Sequence, residues 1–160
     1  MIELMVVIVI SIILLGVAAF AVSENTKRSN REAVVTTLQS MSTAISDAYY
    51  DIGAPNIDVT ADGAIDDFKR YINVLSEDYL GIVFDESTIT PLSSGKGYSV
   101  STLSPFDVYD APYYFWFITD EETMKYVMVA SGGENGKIDS DKYTATSYAD
   151  DIVMIVRPKE

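Results

Sequence analysis

The reading of this chain turns on its opening stretch, MIELMVVIVISIILLGVAAFAV, Met1 to Val22. Those 22 residues hold one charge, Glu3, and one hydroxyl, Ser11. At the helical rise of ~1.5 Å per residue the run covers roughly 33 Å, about the hydrocarbon core of a bilayer. A secretory signal peptide has a shorter apolar part, basic residues ahead of it and a small-residue cleavage site behind it. Ala18, Ala19 and Ala21 are small, but the basic region is lacking. The run is therefore expected to be a helix that stays in the protein.

The helical pattern continues past Val22. Ala33, Val34, Leu38, Met41, Ala44, Ile45, Ala48, Tyr49 and Ile52 recur at steps of three and four, as on one face of a helix. Thr36, Gln39, Ser40, Thr43, Ser46 and Asp47 fill the opposite face. Gly53 and Pro55 end the pattern. The spacing predicts one helix from Met1 to Ile52, on the order of 78 Å long. Residues 1–22 are apolar all round and form a membrane or filament-core segment. Residues 23–52 are amphipathic and belong with a head spanning 23–160.

Beyond a Gly- and Asp-containing linker, Gly53 to Gly63, a short amphipathic helix is expected with Ile65, Phe68, Ile72 and Leu75 on one face. Strands are expected at Gly81–Phe84, Gly97–Leu103, Tyr113–Thr119, Lys125–Ser131 and Asp151–Arg157, where Tyr, Val, Ile, Phe and Trp are dense between turn residues. Helix first and hairpin-spaced strands afterwards give an α+β fold, an antiparallel sheet packed on the amphipathic half of the long helix. Alternation places Tyr113, Phe115 and Phe117 on one face of their strand and Tyr114 with Trp116 on the other. One of the two faces is expected to be core against the long helix, and the other to lie under a loop or at a subunit contact.

With 24 acidic and 11 basic residues the formal net charge is −13, which repels phosphate backbones and argues against nucleic acid as a direct partner. The chain has no histidine and no cysteine, so the common nucleophile–base pairs and zinc or copper sites lack their usual residues. Adjacent acids such as Asp66–Asp67 and Glu121–Glu122 point in different directions on a helix or strand and do not make an acid–base dyad. The expectation is a non-enzymatic protein. Lys27, Arg28 and Arg31 follow the apolar run, but Glu24 and Glu32 reduce residues 23–32 to a net +1, so the positive-inside signal is weak.

The segment Ile2-Glu3-Leu4-Met5-Val6-Val7, continuing to Ser11, resembles the N-terminal signature of type IV pilins and of the pseudopilins of type II secretion. Ser104-Pro105-Phe106-Asp107-Val108-Tyr109-Asp110-Ala111-Pro112-Tyr113 resembles the Pro-rich loop before the sheet in major pseudopilins. Val129–Lys137 with the later Ala149-Asp150-Asp151-Ile152 resembles their C-terminal loop, which often binds calcium. Residues 53–100 carry no such likeness. The resemblance implies a pilin fold and residues ahead of Met1: a short basic leader, removed by a dedicated prepilin peptidase, and an aromatic whose new amine is methylated. Many pilins also carry a proline near the position of Phe20. None lies between Met1 and Asp51 here, and Gly16 is the remaining point of flexibility.

The resemblance also assigns roles. A carboxylate in hydrocarbon costs on the order of 3 kcal/mol. Glu3 would therefore pair with the methylated amine of an adjacent subunit and register one copy against the next. Ile2, Leu4, Met5, Val6, Val7 and Gly16 would share that assembly surface. Asn135, Asp139, Asp141 and Asp150 are candidate calcium ligands, with backbone oxygens completing a shell of six to eight. The implied function is a structural subunit: a cytoplasmic-membrane precursor that an assembly machine polymerises into an extracellular helical filament of identical copies. Alternatives are a type II secretion or competence pseudopilin and, in a different class, a single-span membrane-anchored binding module.

Overall fold

The computed structural model describes residues 2–53, 63–92, 97–120, 123–138 and 150–157; the side chains of residues 2–4, 119–120 and 123–125 lie outside the description. Helix α1 runs without a break over Ile2–Ile52. Compactness divides the chain into two units, Met1–Ala33 and Val34–Glu160. The division falls later than the change in composition at Val22. The reason is physical: among the described side chains of α1, Val34 is the first that is buried.

In the second unit, α1 contributes Val34, Leu38, Met41, Ile45 and Ala48 to one core cluster. Their spacing of four, three, four and three is the stripe that the sequence predicts. Ala33 and Ile52, at the two ends, stay exposed. Helix α2 covers Ala64–Val74 and continues as a π-helical stretch, Leu75–Leu80. Gly63, in the left-handed region at φ 85°, starts it, and Gly81 at φ 61° ends the π-helical stretch. Ala64, Phe68, Tyr71, Ile72 and Leu75 point inward. Ile65, expected on this face, is exposed, because Tyr71 and Ala64 turn inward on the other flank of the stripe and leave it at the solvent margin.

Five strands follow: β1 Val83–Pro91, β2 Gly97–Phe106, β3 Pro112–Asp120, β4 Thr123–Ser131 and β5 Ile152–Val156. They form one antiparallel sheet in chain order, β1-β2-β3-β4-β5. The first strand runs seven residues beyond its predicted end at Phe84. Its polar stretch Asp85–Thr90 lacks the apolar alternation that marks the others, and a register break between Asp85 and Thr90 accompanies it.

Period-2 alternation sorts the central aromatics as expected. Tyr113, Phe115 and Phe117 join Phe68, Phe84 and Tyr98 in the core shared with α1 and α2. Phe68 stacks on Tyr98 with centroids 4.7 Å apart and meets Phe117 edge-on at 5.2 Å. On the reverse face, Trp116, Ile118, Met128 and Ala130 form a second buried cluster with Leu92, flanked by Tyr114, Val153 and Ile155. The sheet is thus apolar on both faces.

Candidate functional site

In the first unit, thirteen large apolar side chains between Met5 and Val22 are each at least 49 % exposed. They point in every direction around the helix, since positions 5–10 and 12–15 are apolar runs interrupted only by Ser11. The one hydroxyl, Ser11, donates to the carbonyl of Val7 at 2.8 Å, so the segment satisfies its own polar side chain. Thr26 does the same with Val22 at 2.9 Å. A Cβ built at Gly16 would meet nothing within 4 Å, so contacts within the chain do not require glycine there. The expected assembly residues Met5, Val6 and Val7 lie on this exposed surface. Ile2, Glu3 and Leu4 belong to the backbone of α1, but their side chains lie outside the described residues. At the polar end of the unit, Arg28 pairs with Glu32 at 3.1 Å, one helical turn on.

The second unit contains a fully engaged carboxylate that composition did not single out. Asp107, buried, sits in the loop between β2 and β3. Its Oδ1 accepts the N–H of Tyr109 at 2.9 Å and of Ala111 at 3.0 Å. Its Oδ2 accepts the hydroxyl of Ser131, on β4, at 2.5 Å. The Ser131 hydroxyl in turn accepts the N–H of Gly133 at 3.1 Å. The chain signal for this was an acid between two apolar residues, Phe106 and Val108, in a Pro-flanked loop.

Of the four candidate calcium ligands, two are described and two, Asp139 and Asp141, lie outside the described residues. The loop brings Asn135 and Asp150 together: the Asn135 N–H donates to Asp150 Oδ2 at 2.7 Å. Asn135 Oδ1 accepts the N–H of Lys137 at 2.7 Å. These oxygens are therefore engaged in fixing the turn. Among the described residues no group of three acidic, His or Cys side chains gathers around one point. Glycine is required at this turn. A Cβ on Gly133, at φ 58°, would collide with the carbonyl oxygen of Asp150.

A half-open cavity of about 360 Å3 opens on the reverse face of the sheet, lined by Thr88, Ser99, Ser101, Tyr114, Trp116 and Ile138. Its described walls carry no charge. Several tyrosines have shifted acidities. Burial, followed by the neighbouring Tyr49 and Tyr79, pushes Tyr71 up to about 12. Tyr113 is raised by burial, with a hydrogen bond from Thr37 acting against the shift and Asp107 adding to it. Tyr79, which donates to Asp51 at 3.2 Å, is raised by desolvation and by that carboxylate.

One helix, described over Met5–Ile52, contains a window of mean hydropathy 3.1, none of it buried, that is long and apolar enough to cross a membrane. The architecture is a long, apolar N-terminal helix packed through its second half on a five-stranded antiparallel sheet. No family model matches the chain, and neither a curated protein nor a solved structure matches it.

Proposed function

We propose that this chain is a structural subunit that polymerises into a type IV pilus-like filament through its apolar N-terminal helix. The observation that carries the reading is the exposure of every large apolar side chain from Met5 to Val22 on a helix that is continuous with part of a folded core. Leaving thirteen such side chains in water costs on the order of 20 kcal/mol, more than the whole stability of a typical domain. Something must cover them.

Lipid covers them in a membrane-held precursor. In a filament, identical helices cover one another, exchanging lipid contact for close packing. Gly16, Ala18, Ala19 and Ala21 allow neighbouring backbones to approach. Glu3 then meets the terminal amine of an adjacent copy, which removes the penalty of a lone carboxylate in hydrocarbon. A plain membrane anchor needs no carboxylate at that depth, which favours the filament over a single-span binding module. Asn135 and Asp150 act in this reading as turn-fixing residues.

The test is electron microscopy of material sheared from expressing cells, together with mass spectrometry of the subunit's N-terminus. Thin helical fibres containing this chain, with a methylated first residue, are the expected result. Long extracellular fibres would identify a surface pilus, and short periplasm-spanning ones a pseudopilus. Membrane-bound monomers with an unprocessed start would refute the proposal.

A further inference from the structure

The register break in β1 shapes the reverse face of the sheet. Asp85 lies opposite Ser101 and Thr90 opposite Ser99, so four residues of β1, Glu86 to Ile89, face the single residue Val100 on β2. The extra chain stands out of the ladder as a bulge, a device that re-aims side chains beside binding sites. Its own polar groups hold it. Asp85 Oδ1 accepts the N–H of Ser87 at 3.0 Å and the Ser87 hydroxyl at 2.6 Å. The Thr88 hydroxyl donates to the Asp85 carbonyl at 2.7 Å and accepts both the N–H and the hydroxyl of Ser101, at 2.9 Å and 3.1 Å.

Thr88, on this bulge, lines the half-open cavity of about 360 Å3. The floor follows from the β2–β3 register. Ser99 lies opposite Trp116 and Ser101 opposite Tyr114, so each small hydroxyl residue sits beside a large ring on the same face. The difference in size leaves the hollow. The two rings are close to parallel, at 21°, with centroids 6.2 Å apart. The indole nitrogen of Trp116 is buried, so that ring presents carbon to the cavity. Ser99 donates to the Thr90 carbonyl at 3.3 Å and Ser101 to Thr88, which occupies both hydroxyl hydrogens and leaves the serine oxygens as acceptors.

We infer that this cavity binds a single neutral sugar ring, a pyranose. Carbon-faced rings beside hydroxyl acceptors match a molecule with an apolar C–H face and a rim of O–H donors. A phosphate or carboxylate finds no cation among the described lining residues, and a metal ion finds no carboxylate. An acyl chain would bury the serine oxygens without donors, at a cost. The volume lies at the small end of ligand sites, ~300–1,000 Å3, which fits one ring with its substituents and not an extended chain. The bonds within the bulge set the wall before a ligand arrives, which lowers the ordering cost of binding. This site is separate from the apolar helix and does not depend on polymerisation.

Trp116, the single tryptophan, lines the cavity and can report on it. The full chain, dispersed in a detergent without a sugar headgroup, is titrated with methyl β-glucoside, methyl β-galactoside and N-acetylglucosamine, and tryptophan emission and heat of mixing are followed. At least one of these sugars should give a saturable change with a midpoint on the order of 1–10 mM, as suits a small half-open site. Glycerol, which has hydroxyls without a ring, and cyclohexanol, which has a ring with a lone hydroxyl, should give none. Ser99→Leu fills the hollow and should weaken binding by roughly tenfold or more while thermal unfolding matches the parent. Tyr114→Leu, which keeps apolar bulk and removes the ring, gives the same test if the first variant does not fold. No saturable signal from any of the sugars, equal responses to glycerol or cyclohexanol, or undiminished binding by a folded variant would each overturn the inference. The titration uses dispersed chains, so a failure to find fibres in sheared material removes the filament alone, and a failure to bind sugar removes this site alone.

Discussion

Replacing Asp107 by alanine should destabilise the second unit by about 3–5 kcal/mol. The carboxylate takes three donors, at 2.9 Å, 3.0 Å and 2.5 Å. Ala111 and Ser131 are buried, so water cannot replace the lost acceptor for their N–H and O–H groups. Each buried donor left unmet costs ~1–3 kcal/mol, whereas Tyr109, partly exposed, can turn to solvent. Asp107→Asn keeps an oxygen for both N–H groups but presents an amide N–H2 to Ser131, whose hydroxyl already accepts from Gly133. That change should cost only ~1–2 kcal/mol. The assay is urea unfolding of the full chain in mild detergent, followed by the fluorescence of Trp116, the single tryptophan, buried on the reverse face of the sheet. Midpoints should fall in the order parent, Asp107→Asn, Asp107→Ala, with unchanged slopes. An alanine variant within 1 kcal/mol of the parent, or an asparagine variant equally damaged, would refute the role assigned to the carboxylate.

Tyr71 stays neutral in the fold up to about 12 against 10.0 in the unfolded chain, so its effect is absent below pH 10 and stability then falls as pH rises toward 12, by ~1.4 kcal/mol per pH unit. Tyr71→Phe should make alkaline unfolding shallower. It should also leave the head equally or slightly more stable at pH 7, because the buried hydroxyl meets no hydrogen-bond partner among the described residues; thermal melts across pH 7–12 check both. Gly133→Ala should cost ~2–4 kcal/mol in the same urea assay, since φ 58° and the Asp150 carbonyl both oppose a side chain. Gly16→Val should leave head stability unchanged, as its Cβ meets nothing within 4 Å, yet reduce filament yield by keeping neighbouring helices apart. Equal yields from parent and Gly16→Val in sheared fractions would contradict the close-packing argument.

Much of the fold was legible because its signals are periodic. The steps of three and four from Val34 to Ala48 and the alternation from Tyr113 to Phe117 each report which side of an element meets the core. What failed to show was set by tertiary geometry. Ile65 lies one position off the centre of its stripe, and only the packing of Tyr71 decides that it faces water. The extension of β1 through Asp85–Thr90 is held by pairing with β2 and by hydroxyl bonds such as Ser101 to Thr88 at 3.1 Å, which carry no apolar signature. The candidate assembly surface was readable as composition, since it is apolar on every side. Asp107 was not, because its significance lies in the distant Ser131 that β4 brings to it. The exposure of Phe106 and Val108 was hidden for the same reason: an apolar residue beside a proline reads like core until the loop's direction is known.

The order of the strands across the sheet repeats their order along the chain. The first three hairpins each close over at most five residues and lose little entropy in doing so, whereas β5 returns to β4 across the 20 residues Gly132–Asp151. The sheet can zip from β1 toward β5 as a travelling front, with each finished strand serving as the template for the next. For a chain delivered with its N-terminal segment held elsewhere, that is a useful property: the first four strands can pair quickly and locally, and the apolar edges of β2, β3 and β4 are open only until the next strand arrives, which leaves β1 and β5 as the edges of the finished sheet.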